Sequence, residues 1–456
     1  MGNGIETVLR EVEKRVTPSR ELVEKIDRVK AEVFRRLQPL AVDFKPELEG
    51  SVAKGTWLAT DPELDVFMMF PTNVAENAMV ERVMEVGKTI FDKWEVSYAE
   101  HPYVRGFIDD VPVDLVPCYA VSSPSEMISA VDRTPFHTRF VNENLNQEQK
   151  KDVRLLKAFL KGLGIYGAEI KTRGFSGYAS EVLVYRFGSF LGLLDKAQRW
   201  RGKVNLGWNG QPEALGVPDP IDPSRNVTAS VSMRSLSIFV AASGFFLRRP
   251  SLRFFWGDGA EETANLDQVL ILKTGKPSWV DDVLWGEIWR AVGGIRKQLI
   301  KEGFAVIDVG AYEEADHVYF FFYLLSRMRA AVYLMEGPPV NMIDDSIRFV
   351  DKWSSRKETV RGPWVGEGKW FAAKTLGGDA RDVIGSLIKA NPKQLALGDF
   401  EREVRKGFEV EWGNAIANKC SSECLRALRR FALLRETWAL PRESLSQRCF
   451  SDACYS

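Results

Sequence analysis

Several features that by themselves indicate the class of a protein are weak or missing in this sequence. The chain of 456 residues has no excess of charge, because 62 Lys and Arg balance 62 Asp and Glu. This balance removes the simplest signal of a nucleic-acid-binding protein, an excess of basic residues. Only five cysteines are present, which indicates a reducing compartment rather than a disulfide-bonded secreted protein.

Long apolar runs, a secretion signal and internal repeats are also absent from the sequence. No apolar stretch reaches the roughly 20 residues that a membrane-spanning helix needs. The first part of the chain instead has the pattern of an amphipathic charged helix, from Val8 to Leu40 and interrupted near Pro18. We therefore expect a soluble, cytoplasmic protein with no membrane contact. Because single cores rarely grow past about 250–300 residues, we also expect several domains.

Two carboxylates lie one residue apart at the start of an apolar segment. The run Leu64–Phe70 is short and ends before Pro71, which predicts a buried strand. Because side chains alternate along a strand, Glu63 and Asp65 point to the same face. Neighbouring carboxylates repel each other unless a cation neutralises them, and hard divalent ions prefer oxygen ligands. The pair therefore predicts a site for Mg2+.

A third carboxylate lies inside a second apolar segment. Asp114 is part of Val111–Pro117, and residues 104–119 have the pattern of a hairpin that turns at Asp109 and Asp110. Such a hairpin can bring Asp114 beside the first two carboxylates. Three acidic groups around two metal ions would form a site for phosphoryl transfer.

A glycine and a serine, Gly50 and Ser51, precede the first acidic pair by twelve residues. Glycine allows the backbone to approach an anion closely, and residues 52–58 can start a helix. Backbone N–H groups and the Ser51 hydroxyl would then hold a triphosphate, to which Lys54 adds charge. The alternative is a turn followed by an ordinary strand with a solvated acidic end. The third carboxylate, inside an apolar strand, favours a metal-dependent nucleotidyltransferase site.

Together these motifs resemble the polymerase-beta-like nucleotidyltransferase superfamily. Downstream motifs narrow the resemblance: Arg133–His137, Val153–Lys157, Gly164–Glu169, Arg173–Tyr178 and Asp219–Val227. In this order they look like the family of archaeal, class I, CCA-adding tRNA nucleotidyltransferases. The match is dense over about residues 46–256 and thinner afterwards.

The resemblance implies roles for individual residues. The metal-binding and catalytic carboxylates would be Glu63, Asp65 and Asp114, of which Asp114 accepts the proton of the primer hydroxyl. The residues that hold the triphosphate or its sugar would be Ser51, Lys54, Thr134, Lys157 and Tyr166, with His137 in the same cluster. Arg225 matches the arginine that helps to read the incoming base. Lys54 departs from the arginine expected there and lacks its planar, two-pronged grip on phosphate.

Simpler interpretations remain open for four of these residues. Lys157 lies on the helix pattern Gln149–Leu163, where cations usually form a solvated face. Tyr166 follows a helix end and can be a packed aromatic residue. His137 can be a core histidine with its hydrogen bonds satisfied. Arg225 lies in a proline-rich loop, where a surface arginine would be ordinary.

The resemblance also implies a fold, a reaction and partners. The fold is α+β and multidomain, with a polymerase-beta-like head that contains a mixed sheet (1–139), a helical neck that binds nucleotide and primer (140–257), and an RNA-recognition-motif-like body with an inserted tail (258–456). The reaction adds C, C and A to tRNA from CTP and ATP with two Mg2+ ions. The partners are a tRNA lacking its 3′ end, gripped at its acceptor and T-arm, and the two nucleotides. The sequence leaves a homodimer open.

Other functions remain as alternatives. A poly(A) polymerase or another RNA terminal nucleotidyltransferase would share the three carboxylates. A small-molecule nucleotidyltransferase would share them too, but it rarely carries so long a remainder of basic, mixed structure. An RNA-binding protein with a degenerate catalytic head is disfavoured, because all three carboxylates are present.

Cysteines and basic residues also form clusters. Four cysteines, Cys420, Cys424, Cys449 and Cys454, form two pairs near the end of the sequence. Their spacing is looser than that of the usual zinc-binding pairs, so incidental thiols are favoured over a zinc site. Cations gather at Lys196–Lys203, Arg248–Arg253 and Arg426–Arg435. They favour contact with an RNA backbone, although each cluster can also be the solvated side of a helix.

Further elements are predicted from periodicity. Helix patterns cover Val74–Trp94, Ser180–Leu194 and Trp285–Lys301, the last despite Gly293 and Gly294. Strand patterns cover Ala305–Val309 and His317–Leu325.

Overall fold

Two units, each with its own sheet and buried core, make up the chain. The computed structural model describes residues 2–98, 102–256, 264–329, 332–375, 377–434 and 436–440. One unit spans residues 1–259 and resumes at 436, and the other spans 260–435. The helices and strands of the first unit are α1 (Gly2–Val16), α2 (Arg20–Leu37), β1 (Lys45–Glu49), α3 (Gly50–Lys54), β2 (Leu64–Phe70), α4 (Glu76–Ile90), β3 (Trp94–Tyr98), β4 (Pro102–Ile108), β5 (Val111–Tyr119), α5 (Thr134–Asn144), α6 (Gln147–Gly162), α7 (Gly177–Phe187), α8 (Phe190–Ala197), β6 (Val204–Asn205), β7 (Leu215–Gly216), α9 (Met233–Arg248) and α10 (Arg253–Trp256).

A mixed five-stranded sheet forms the first part of this unit. Its order is β1-β2-β5-β4-β3, and β2 runs parallel to β5 while the other pairs are antiparallel. The predicted buried strand is confirmed as β2, with the predicted bounds. The predicted hairpin is β4 and β5. Its turn residues Asp109 and Asp110 have φ angles of 51° and 58°, as a tight two-residue turn of this hand requires.

Helices dominate the second part of this unit. Helices α6 to α9 surround a buried core to which Phe159 of α6 contributes. The prediction of one helix over Ser180–Leu194 is wrong, because Gly188 adopts a φ of 80° and ends α7. Ser189 then caps α8 by accepting a hydrogen bond from the Gly192 N–H at 3.0 Å. The predicted break of the first helix near Pro18 is confirmed by the separation of α1 from α2.

The second unit contains a four-stranded antiparallel sheet and an inserted three-stranded sheet. Its elements are β8 (Val269–Gly275), α11 (Asp281–Lys301), β9 (Val306–Glu313), β10 (His317–Leu324), β11 (Val332–Pro339), α12 (Ile343–Ser354), β12 (Thr359–Gly366), β13 (Lys369–Thr375), α13 (Ala380–Ala390), α14 (Phe400–Lys406), β14 (Phe408–Trp412), α15 (Gly413–Ala417) and α16 (Ser422–Leu433). The larger sheet has the order β14-β8-β10-β9. Without the insertion, the chain order β8-α11-β9-β10-α13-α14-β14 is the β-α-β-β-α-β motif with one short additional helix, α14. The predicted α+β multidomain fold, with an RNA-recognition-motif-like body and an inserted tail, is confirmed.

The insertion lies between β10 and α13, and its two ends are joined by backbone hydrogen bonds. The Ala380 N–H donates to the Arg327 carbonyl at 2.9 Å, and the Arg329 N–H donates to the Gly378 carbonyl at 3.2 Å. Between these ends, β11, β13 and β12 form a sheet in that order, which packs against α12. The insertion is therefore closed at its base by the chain that carries it.

Two negative findings apply to the residues with described positions. No helix among them has both the length and the apolar composition needed to cross a bilayer. Cys118, Cys420 and Cys424 are free thiols. The other two cysteines of the predicted pairs, Cys449 and Cys454, lie outside the described residues.

Candidate active site

A row of charged side chains crosses one face of the five-stranded sheet. Asp65 of β2 lies opposite Asp114 of β5, and Arg105 of β4 lies opposite Asp114 on its other side. Glu63 comes two residues before Asp65 and therefore points to the same face. The structure thus brings the three predicted carboxylates together. On the remaining side of Asp65, the register places Glu49 at the end of β1, so a fourth carboxylate borders the row.

Arg105 binds two of the three carboxylates at once. Its Nε donates to Asp114 Oδ1 at 2.8 Å and its Nη2 to Asp114 Oδ2 at 2.7 Å, and Nη2 also donates to Glu63 Oε1. Burial and the nearby charge of Asp114 still raise the pKa of Asp65 to about 7 and that of Glu63 to about 8. One guanidinium therefore leaves the row with an excess of negative charge.

The donor atoms of this row fit a divalent cation, although Arg105 holds three of these oxygens, from two carboxylates. No group of three or more His, Cys, Asp or Glu side chains in the described part of the chain is arranged as a metal-binding set, because Glu63 and Asp114 both point at Arg105. Carboxylate oxygens are nevertheless the ligands that hard cations prefer. Three carboxylates against one guanidinium leave negative charge that protons or a bound cation can neutralise, in agreement with the raised pKa values of Glu63 and Asp65. The donor set of the row therefore suits a hard divalent cation.

Position 50 requires a glycine, because the Asp65 side chain lies close against it. Gly50 begins α3 with a φ of 70°, a conformation that favours glycine. A Cβ atom at this position would overlap the Asp65 carboxylate. The glycine that was predicted to let a phosphate approach the backbone therefore also lets the Asp65 carboxylate do so.

Two predicted phosphate-binding lysines meet at a buried glutamate. Lys54 Nζ, at the end of α3, donates to Glu181 Oε2 of α7 at 2.8 Å. Lys157 Nζ of α6 donates to the Thr56 carbonyl at 3.1 Å and lies 3.5 Å from Glu181 Oε1. Burial lowers the pKa of Lys157 to about 8, although Glu181 opposes this shift. The helix pattern around Lys157 therefore does not place this lysine on a solvated face.

His137 and Arg225 meet at a second buried acid. His137 Nε2 lies 2.9 Å from Asp219 Oδ2, and Arg225 Nη1 donates to the same oxygen at 2.9 Å. The hydroxyl of Tyr178 donates to Asp219 Oδ1 at 3.0 Å, and its ring stacks on His137 with centroids 3.6 Å apart. Burial lowers the pKa of His137. Asp219 therefore joins His137, which was predicted to lie in the triphosphate cluster, to Arg225, which was predicted to help read the base.

The remaining predicted residues lie on the elements around these clusters. Ser51 is on α3 and Thr134 begins α5, and these helices pack together. A Cβ on Gly177, at the start of α7, would lie 3.1 Å from the Tyr166 hydroxyl and 3.7 Å from Lys157 Nζ. Gly177 thus lies close against Tyr166 and Lys157, with little room for a side chain.

Four residues at the centre of these contacts were not predicted as site residues, although two of them lie in motifs that carried the resemblance: Arg105, Tyr178, Glu181 and Asp219. One signal was available for Glu181, which lies between the buried apolar residues Ala179 and Val182. A charge at such a position needs a partner. Nothing local distinguishes Asp219, because its partners come from α5, α7 and its own loop.

Comparisons with known proteins cover almost the whole chain. Residues 28–137 match a nucleotidyltransferase domain, residues 151–256 match the second domain of tRNA nucleotidyltransferase, and residues 267–413 match the C-terminal domain of CCA-adding enzymes. The CCA-adding enzyme of Sulfurisphaera tokodaii is 36% identical over 425 residues, with 91% of this chain and 99% of that protein covered. The CCA-adding enzyme of Saccharolobus shibatae is 38% identical over 438 residues, with 92% and 98% covered.

Nucleotidyltransferases of this family are typically metal-dependent, in agreement with the carboxylate chemistry of the row. Both relatives align along nearly their full length, so the head, the helical part and the C-terminal unit occur in one order in all three proteins. The chain belongs to the family of CCA-adding enzymes, of the archaeal class I type.

Proposed function

We propose that this CCA-adding enzyme builds C, C and A onto the 3′ end of a tRNA that lacks them, using CTP and ATP and releasing pyrophosphate. The observation that carries the proposal is the meeting of Glu63, Asp65 and Asp114 on one face of the sheet, directly beside Gly50. Because the chain is related to CCA-adding enzymes over nearly its full length, we assign tRNA as the substrate of this cluster.

In this proposal the three carboxylates hold two Mg2+ ions. Such ions lower the pKa of the attacking hydroxyl and neutralise charge on the triphosphate and the departing pyrophosphate. Asp114 accepts the proton of the tRNA 3′ hydroxyl. The two hydrogen bonds from Arg105 fix the Asp114 carboxylate in one orientation before the substrate binds. No covalent intermediate with the protein is required.

The nucleotide is proposed to bind between the two buried acids. Ser51, Lys54, Thr134, Lys157 and Tyr166 hold the triphosphate and its sugar. Arg225, with His137 beside it, contacts the base. Its side chain is anchored to Asp219 at one nitrogen and is 42% exposed, which leaves other N–H groups to donate. A wrong base would leave such groups unpaired, which is how a site without a template can reject UTP and GTP.

The head, the neck and the body of the chain are each proposed to have a separate role in the reaction. The head (1–139) carries the carboxylates and the neck (140–257) contacts nucleotide and primer. The body with its inserted tail (258–456) grips the acceptor and T-arm of the tRNA. A homodimer is a separate proposal, which the mass of the protein in solution tests.

The central experiment uses a tRNA transcript without its last three nucleotides, together with labelled CTP, labelled ATP and Mg2+. We expect addition to stop after three nucleotides, whereas a poly(A) polymerase would give a ladder. Asp65→Ala and Asp114→Ala should each lower the rate by at least about 100-fold, since several kcal/mol of charge stabilisation is lost. Removing Mg2+ with a chelator should abolish addition. Unchanged activity in folded Asp65→Ala and Asp114→Ala protein would contradict this assignment of the site.

A further inference from the structure

Glu181 is a charged residue in the interior that the proposed reaction does not use directly. Its side chain is 1% exposed. It accepts hydrogen bonds from Lys54 Nζ at 2.8 Å and from the Thr56 hydroxyl at 2.5 Å. Lys157 Nζ lies 3.5 Å from it and 3.2 Å from the Thr56 hydroxyl. Three segments, the end of α3 with Thr56, α6 and α7, therefore converge on one carboxylate.

The charge of this cluster is unusual for a protein interior. Two ammonium groups share one carboxylate, so the cluster carries one excess positive charge, and the side chains of Lys54 and Lys157 are only 8% and 3% exposed. A buried ion with no partner costs several kcal/mol. The excess positive charge can attract a further anion, such as a phosphate, to the edge of the cluster, and the Lys54 charge already acts on the nearby carboxylates Asp65 and Glu49.

We propose that Glu181 is a positioning residue for the nucleotide triphosphate: it holds the ammonium groups of Lys54 and Lys157 at one point, so that both face the phosphates together. The inference rests on the proposed function, since it takes these lysines as phosphate ligands. Lys54 stands where an arginine is expected, and a lysine ammonium lacks the rigid fork of a guanidinium. Glu181 supplies the fixed direction that the lysine side chain lacks.

The substitution Glu181→Gln separates positioning from simple charge attraction. Removal of the carboxylate charge makes the cluster more positive, so attraction alone predicts tighter binding of a triphosphate. Positioning predicts the reverse, because two crowded ammonium groups without their shared acceptor move apart or lose a proton. We expect the Kd of Mg-ATP and Mg-CTP, measured by calorimetry, to rise by about tenfold or more, since charge-assisted contacts are lost.

A matched control and a double-substitution cycle test whether Glu181 affects nucleotide binding through Lys157. Glu148→Gln removes an exposed glutamate that binds Lys151 on α6 at 2.8 Å and should leave the nucleotide Kd unchanged. Glu181→Gln should add less than about threefold to the Kd of Lys157→Met, because a residue that acts through a lysine has little effect once that lysine is gone. Circular dichroism and thermal melting establish that each variant is folded.

If Glu181→Gln does not fold, Thr56→Val and Glu181→Asp test the same positioning role. The first removes one hydroxyl donor and the second shortens the acid, and each should raise the nucleotide Kd by at least about threefold. A lower or unchanged Kd in every folded variant, or effects of Glu181→Gln and Lys157→Met that multiply, would overturn the positioning role. The three-nucleotide addition assay on the wild-type protein decides the proposed function separately, since the Kd of a nucleotide does not depend on turnover.

Discussion

Gly50 shows how much one residue can determine in this molecule. It combines a left-handed backbone conformation with direct contact to the Asp65 carboxylate. Several other glycines with described positions have the left-handed conformation without a contact to Asp65. Gly188, for example, has a φ of 80° and open space around the position of a Cβ. Substitutions at Gly50 and Gly188 therefore separate the effect of backbone strain from the effect of displacing the Asp65 carboxylate.

We expect Gly50→Ala to lower nucleotide addition by at least about 100-fold, because displacement of a catalytic group by 1 Å can have such an effect. Gly188→Ala places the same side chain in a similar backbone conformation and should retain activity. Both substitutions should destabilise the protein by about 1–2 kcal/mol, the cost of the left-handed conformation for a residue with a Cβ. The measurements are initial rates on the shortened tRNA and urea unfolding. Equal rates for the two variants would contradict the role assigned to Gly50.

Arg225 permits a second test at the level of single residues. Arg225→Ala should reduce the preference for CTP and ATP over UTP and GTP by about tenfold or more, since hydrogen bonds from a charged donor contribute about 1.5–3 kcal/mol. The measurement is kcat/KM for each of the four nucleotides. Arg20→Ala removes an exposed arginine that pairs with Glu24 at 2.9 Å and serves as the control. Full fidelity in Arg225→Ala protein would remove this residue from base recognition.

At the level of helices and strands, the sequence predicted those elements whose signals are local. The bounds of β2 were predicted because an apolar run ends at a proline, and the hairpin of β4 and β5 because two aspartates occupy its turn. Helix α11 was predicted despite its glycines. Gly294 is required there, because a Cβ would overlap the Leu395 carbonyl oxygen.

Elements and contacts that depend on non-local structure were not predicted. The break at Gly188 was missed for a different reason: apolar periodicity continues from α7 into α8, and it outweighed the local signals of Gly188 and Ser189. The predicted helix Val74–Trp94 was too long for the same reason, since α4 ends at Ile90 and the chain continues as strand β3. The contacts of Glu181 with Lys54 join residues 127 positions apart, and no local pattern reports such a pair.

The cap between α7 and α8 gives a prediction for stability alone. Ser189 accepts a hydrogen bond from the Gly192 N–H at 3.0 Å, and loss of such a cap costs about 1 kcal/mol. Ser189→Ala should lower the free energy of unfolding by this amount and leave the Kd of nucleotides unchanged. Ser237→Ala, at an exposed position within α9, should change it by less than about 0.5 kcal/mol. Chemical denaturation of both variants makes the comparison, and equal effects would show that the cap does not stabilise the break.

At the scale of the whole molecule, the division into two units is the main feature. The second unit contains a complete β-α-β-β-α-β sheet with its own core, and the family of CCA-adding enzymes matches it as a separate domain over residues 267–413. In the first unit, Trp438 packs against Phe254 with ring centroids 5.4 Å apart, so the chain returns to this unit after the second. The boundary near residue 139 inside the first unit stays a prediction.

A fragment of residues 264–434 should fold by itself and show one cooperative thermal transition, because it has a closed core. It should add no nucleotides, because it lacks all three carboxylates of the row. A shorter fragment of residues 264–375 lacks α13 and β14, the strand that pairs with β8, and should not fold. Circular dichroism and the addition assay test both fragments. An unfolded longer fragment would show that this unit depends on the rest of the chain.

The backbone hydrogen bonds at the base of the insertion have a consequence for changes in its length. Since Arg327 and Arg329 are joined to Ala380 and Gly378, the spacing between the two ends is set before any residue of the insertion contributes. The insertion can therefore be lengthened, shortened or replaced without a change in the register of the four-stranded sheet that carries it. Changes of length between residues 329 and 378 should therefore leave strand β10 paired with β8 and β9 in its present register.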